Sequence, residues 1–192
     1  MKFFKFLTLL VIVTTIITSA EAGKLGPEPF PTQHIGGVRL VHGHRNLIEA
    51  ISHNDVHAVQ ILIARGANVN EQGINGYTPL HLAVNLGNLV IVRILIANHA
   101  NINAQNDEGE TPLLLAIISG FAGVVVELIN SGADVNATNI YGQTPLDEAN
   151  WARDHAADIA GDHEPLQAVM ADIDAILGLL NHHGAHTGAG YL

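Results

Sequence analysis

Three apolar triplets recur along the middle of the chain at one constant step. Val59, Leu62 and Ile63 are followed 33 residues later by Val92, Leu95 and Ile96, and 33 further on by Val125, Leu128 and Ile129. Spacing of i, i+3 and i+4 puts each triplet on one face of a helix. The tripeptide Thr-Pro-Leu keeps the same 33-residue step, at Thr78 to Leu80, Thr111 to Leu113 and Thr144 to Leu146. Threonine followed by proline and an apolar run marks a helix start: the hydroxyl caps an orphan N–H, and proline loses nothing in the first turn. Leu80 and Ala83 then face inward at helical spacing. Gly87 and Gly120 end these first helices, where a left-handed residue is cheapest, and Asn54 holds the same place one period earlier. The pattern predicts pairs of short helices, repeated.

A third marker shares the period. GANVN at Gly66 to Asn70, HANIN at His99 to Asn103 and GADVN at Gly132 to Asn136 each close a second helix and lead into a short polar stretch. A single helix pair cannot bury its stripe, and about three or more must stack before a core closes. The run from Gly76 to Asn106, GYTPLHLAVNLGNLVIVRILIANHANINAQN, resembles a nearly complete unit of the ankyrin-repeat family, and the resemblance covers roughly residues 45 to 186. It implies an all-α solenoid of about four stacked helix-turn-helix repeats, with the polar stretches projecting as short β-hairpin fingers. It also implies that His81 hydrogen-bonds between neighbouring repeats. Partners would be held by the fingertips and by the exposed side of the first helices, which form a concave groove.

The ends depart from the period. The first unit has His44, Arg45, Asn46 and Leu47 in place of Thr-Pro-Leu, a polar and solvated start. From Thr78 to His99 and from Thr111 to Gly132 is 21 residues, but from Thr144 to Gly184 is 40, so the last unit carries 19 extra. Arg153 replaces its turn glycine. The first helix there is expected to run on to about Ala160, break at Gly161 and return as a long helix from about Pro165 to His182. The repeat domain is therefore placed at 44–192, with repeats at about 44–72, 73–105, 106–138 and 139–187. Residues 23–43, with Pro27, Pro29, Pro31 and five glycines, read as a flexible linker.

Ahead of the linker, Lys2 and Lys5 precede an apolar run from Phe6 to Ile17 and the small-residue pattern Ala20, Glu21, Ala22. This is the order of a secretory signal peptide over 1–22, and the run is too short for a spanning helix of about 20 apolar residues. The expected mature chain is secreted or periplasmic, with no stable membrane anchor after cleavage. It has no cysteine, so packing alone must hold it in an oxidising compartment. Its formal charge moves from −10 to −11 when Lys2, Lys5 and Glu21 are removed. A chain so acidic repels phosphate backbones, which argues against nucleic acid as partner.

Mapping the period onto the fingers gives Ile74, Asn75 and Tyr77, then Asp107, Glu108 and Glu110, then Ile140, Tyr141 and Gln143. Ile140 and Tyr141 have no evident core role, so they are expected to touch a partner. Asp107, Glu108 and Glu110, with Asp147 and Glu148, form an acidic strip that would attract a basic protein surface; the alternative is a solvated face. Trp151, the only tryptophan, is either a groove anchor or packed beneath the C-terminal hairpin. Among twelve histidines, His182, His183 and His186 lie near His155, Asp158, Asp162 and His163 and suggest a metal site as the alternative function; the other reading places His182 and His183 in a helix's last turn, favoured by its dipole. No phosphate loop, HExxH, GxSxG or cysteine nucleophile is present, so no enzyme and no cofactor are expected. The sequence thus points to an exported protein-binding module: a periplasmic inhibitor or protector, or an effector directed at a host protein.

Overall fold

The computed structural model of the protein describes residues 34–35, 38–39, 43–156 and 166–188. The expected signal peptide, most of the linker, and the break at Gly161 lie outside these residues. Within the linker, β1 (His34–Ile35) pairs antiparallel with β2 (Val38–Arg39). The helices follow as α1 (Leu47–Ser52) and α2 (Val56–Ala64), α3 (Pro79–Asn85) and α4 (Leu89–Ala97), α5 (Pro112–Ile118) and α6 (Ala122–Asn130), then α7 (Pro145–Asp154) and α8 (Leu166–His182). The first helices stack in one layer, α1 on α3 on α5 on α7, and the second helices stack in another, α2 on α4 on α6 on α8. The core lies between the layers.

Helices of six to nine residues are too short to persist alone. Their ends are accordingly well capped. The side chains of Thr78, Thr111 and Thr144 accept from the N–H three residues on, as the Thr-Pro pattern predicts. The first unit reaches the same result with different residues: Asn46 accepts from the Glu49 N–H at 2.8 Å, and Glu49 accepts from the Arg45 N–H at 2.7 Å. This start is less solvated than expected, because Leu47 is buried and His44 sits 3.3 Å from Asp55.

From the predicted stripes, Val59 and Leu62, Val92 and Leu95, and Val125, Leu128 and Ile129 are buried, whereas Ile63 and Ile96 are half-buried at the stripe's edge. Ala58, Ile91 and Val124, also 33 apart, are buried in their stead. Placing this aliphatic surface out of water stabilises the fold by about 25 cal/mol per Å².

The C-terminal unit differs from expectation. Helix α7 stops at Asp154, where the spacing predicts that it runs on: His155 leaves the helix at φ −113° and ψ 17°, Ala156 is helical again, and residues 157–160 lie outside the described residues. The reason is local: both the N–H of His155 and its ring Nδ1 bond to the Trp151 carbonyl, at 3.2 and 2.9 Å, closing the last turn. The returning helix α8 does run to His182 as the spacing predicts. Beyond it the chain folds back over the last finger. The His186 N–H donates to Asn136 Oδ1 at 2.9 Å, and the Gly188 N–H donates to Asp147 Oδ2 at 2.8 Å.

Asn54, Gly87 and Gly120 all adopt positive φ, at 58°, 65° and 72°. Only Gly87 is also crowded: a Cβ there would meet the Phe121 ring at 2.7 Å, while one at Gly120 meets nothing within 4 Å. Gly120→Ala is expected to cost about 1 kcal/mol, the left-handed penalty alone. Gly87→Ala should cost clearly more, because Phe121 must also move. Urea unfolding of the two variants checks the order.

Candidate functional site

The fingers are built from three residues that recur at the period. Asn106 occupies a buried position at the base of the second finger. Its Oδ1 accepts from the N–H groups of Glu108 and Glu110 at 3.0 and 2.9 Å, and its Nδ2 donates to Glu110 Oε2 at 3.0 Å. Asn139 repeats this in the third finger, accepting from Tyr141 and Gln143 and donating to Gln143 Oε1. The third residue, Gly73, starts the first finger without a side chain to do so. There, a 3-10 turn over Ile74–Gly76 is closed by the Gly73 N–H on the Tyr77 carbonyl at 2.8 Å. The fingers contain no strand. The expected β-hairpins are reduced to tight turns, because the Asn side chains and the neighbouring finger take up the N–H groups that strand pairing would use.

Neighbouring fingers are joined by backbone. The Asp107 N–H donates to the Asn75 carbonyl and the Ile140 N–H to the Glu108 carbonyl, both at 3.0 Å. A second ladder runs below: Asn70 Oδ1 accepts from the Asn101 N–H at 2.7 Å, and Asn103 Oδ1 accepts from Asp134 at 2.8 Å. The tips therefore form one row held at a fixed spacing, rather than three independent loops.

Their side chains divide into two sets. Ile74 is 87% exposed, Ile140 63% and Tyr141 46%, and Asp107 and Glu108 are exposed between them. Asn75 is exposed on the first tip as well, whereas Glu110, Tyr77 and Gln143 do not join this row. Glu110 is 5% exposed, with its carbonyl accepting from His81 and its carboxylate from Asn106. Tyr77 is half-buried, its ring 5.6 Å from that of His81. Tyr77, Glu110 and Gln143 share a position at the finger base, where the backbone closes the turn, so the period assigns them a structural place. Asp147 is withdrawn from the acidic strip as well. It is 2% exposed, and its Oδ2 accepts from both the N–H and the hydroxyl of Thr144, at 2.9 Å each. The strip keeps Asp107 and Glu108, exposed on the tip, and Glu148, half-buried one repeat on.

Trp151 stands on the first-helix layer, half-buried, with its ring stacked on His155 at 4.5 Å and an interplanar angle of 19°. Neither a bare anchor nor a core residue, it has one face already covered. Between α2 and α4, a shallow depression of about 270 Å³ is lined by Gln60, Ile63, Ala64, Ile94, Ala97 and Asn98; no finger residue contributes to it.

Three of the described histidines are spent on helix ends. His53, His155 and His183 each point ring Nδ1 at the carbonyl four residues back, at 2.8, 2.9 and 2.9 Å. His182 meets the His183 ring edge-on at 5.3 Å, and His186 is fixed through its backbone to Asn136. Asp158, Asp162 and His163 lie outside the described residues. Among the described residues, no group of three or more His, Cys, Asp or Glu side chains converges to hold a metal ion.

A family model described as ankyrin repeats (3 copies) matches residues 47–139 and 84–159, which together span more than half of the chain. The chain belongs to the ankyrin-repeat family, and its helical repeat solenoid is a protein–protein interaction module. No curated protein matches the sequence. No helix among the described residues is long and apolar enough to cross a membrane.

His81 links the repeats as the family resemblance implies. Its Nδ1 faces the Thr78 N–H at 3.1 Å, and its Nε2 faces the Glu110 carbonyl at 3.1 Å. A backbone N–H can only donate and a carbonyl can only accept, so Nδ1 is bare, Nε2 carries the proton, and the ring is neutral. Burial holds the imidazole below the ordinary histidine value of 6.5, against the opposing pull of the Glu110 carbonyl. A depressed folded pKa means that the His81 contribution is complete above the unfolded value and is lost as pH falls through the folded one. His81→Leu should cost about 1–3 kcal/mol near neutral pH, where it strands the Thr78 and Glu110 groups. The gap to wild type should narrow as the medium is acidified below the ordinary histidine range, as denaturant titrations across pH would report.

Proposed function

We propose that the protein is an exported binding module that holds a partner protein against its fingertip row and first-helix groove. The partner contacts are Ile74, Asp107, Glu108, Ile140 and Tyr141, with Trp151 at the groove's end. The observation that carries this reading is the exposure of three large apolar side chains, Ile74 on the first tip and Ile140 and Tyr141 on the third; among the described residues only Val90 and Val126 are exposed likewise. Asp107 and Glu108, set between them, favour a partner that presents a basic residue flanked by apolar ones.

This reading takes the stack as four repeats at about 44–72, 73–105, 106–138 and 139–187, the last enlarged by 19 residues. It also takes residues 1–22 as a cleaved signal peptide, so that the module works outside the cytosol, secreted or in a periplasm. There it would inhibit or protect an envelope protein, or act on a host protein. The absence of a catalytic motif from the sequence supports a role in binding rather than catalysis.

Replacing Ile140 and Tyr141 together with Ala should weaken capture of the partner by roughly ten- to a hundred-fold, the usual cost of removing interface anchors. Melting temperature should hardly change, because neither side chain belongs to the core. Crosslinked pull-down from the protein's own compartment, followed by titration of the recovered partner, measures this; undiminished affinity would place the interface elsewhere. Sequencing the amino terminus of the exported protein tests the other half, with Gly23 as the expected first residue.

A further inference from the structure

The first finger differs from the other two in a way that bears on its covalent chemistry. It contains Asn75–Gly76, the only Asn-Gly pair in the chain. Asparagine is among the most heat-labile side chains, and a following glycine leaves the approach to its amide unhindered. In the second and third fingers, the Asn106 and Asn139 side chains clamp the turn from within. Gly73 offers no such clamp. Asn75 is exposed at φ 57° and ψ 28°, and among the described residues its side-chain amide makes no hydrogen bond. The Gly76 N–H is weakly held, at 3.3 Å from the Gly73 carbonyl, against 2.9 and 3.0 Å for the matching bonds of Gly109 and Gly142.

We infer that Asn75 is a site of spontaneous deamidation, a modification that edits the fingertip row. The deprotonated Gly76 nitrogen attacks Cγ of Asn75, a new N–C bond closes a five-membered imide, and the side-chain nitrogen leaves as ammonia. Water then opens the ring. Attack at the former side-chain carbonyl gives aspartate, and attack at the main-chain carbonyl gives isoaspartate; the net change is one water in and one ammonia out.

Both products alter the row. Each adds a negative charge beside Asp107, whose Oδ1 lies so close to Gly76 that a Cβ built there would stand 2.7 Å away. Isoaspartate also inserts a methylene into the main chain and displaces the carbonyl that accepts the Asp107 N–H. The inference stands on the turn itself and does not require that the fingertips bind a partner.

The test is to age the purified full chain in warm buffer at neutral and mildly alkaline pH, map its peptides by mass, and label isoaspartate with an isoaspartyl methyltransferase. The expected result is an amide-to-acid mass gain concentrated on the peptide containing Asn75. It should be faster at the higher pH, isoaspartyl-positive, and accompanied by loss of hydrogen-exchange protection at the Asp107 amide. Asn75→Gln, whose imide ring would need six members, should lose the signal. The inference is overturned if Asn75 keeps its amide in the folded chain over a period in which the same excised peptide loses it, or if the gain spreads evenly over the chain's asparagines. Comparison of folded chain with excised peptide decides the matter even if the Gln variant folds poorly.

Discussion

Everything in this molecule depends on stacking, because a pair of six- to nine-residue helices cannot bury its own apolar stripe. Each pair is completed by its neighbours in both layers, so Val92 and Leu95 are fully buried only because α2 and α6 flank α4. The same constraint explains the exact period. A side chain that must meet its counterpart in the next pair cannot drift by even one residue without leaving the shared face.

Stacking also sets the surface available for recognition. Once the helix pairs are fixed side by side, the turns between them are brought into a row, and hydrogen bonds from Asp107 to Asn75 and from Ile140 to Glu108 lock that row. The tips then need no strands of their own. Their amides are satisfied by Asn106, Asn139 and the adjoining finger, which leaves Ile74, Asp107, Ile140 and Tyr141 to project. The first finger, which begins at Gly73, has no internal clamp; its geometry rests on backbone bonds alone.

The residue three past the cap of each first helix shows how one structural need is met by different chemistry. Glu49, His81, Leu114 and Asp147 occupy equivalent places. Glu49 and Asp147 complete a cap within their own unit, and His81 adds a bond to the next unit through the Glu110 carbonyl. Leu114 contributes burial only. Asp147 additionally receives the returning tail through Gly188, so the C-terminal end is closed by the chain itself.

The sequence by itself determined the helix pairs, their caps, the left-handed turns at Asn54, Gly87 and Gly120, and most of the core, because periodicity and capping are local and print directly on residue type. It also placed Ile74, Ile140 and Tyr141 correctly at the tips. Only the tertiary structure decided which acidic residues face solvent. Glu110 and Asp147 carry the same charged group as Glu108, yet their carboxylates turn inward to amides and hydroxyls that their own turns supply. The end of α7 at Asp154 was likewise beyond a periodic reading, since it depends on the bond from His155 to the Trp151 carbonyl. A repeat tells which positions are equivalent; whether an equivalent position is a tip or a base depends on where the backbone finds its hydrogen bonds.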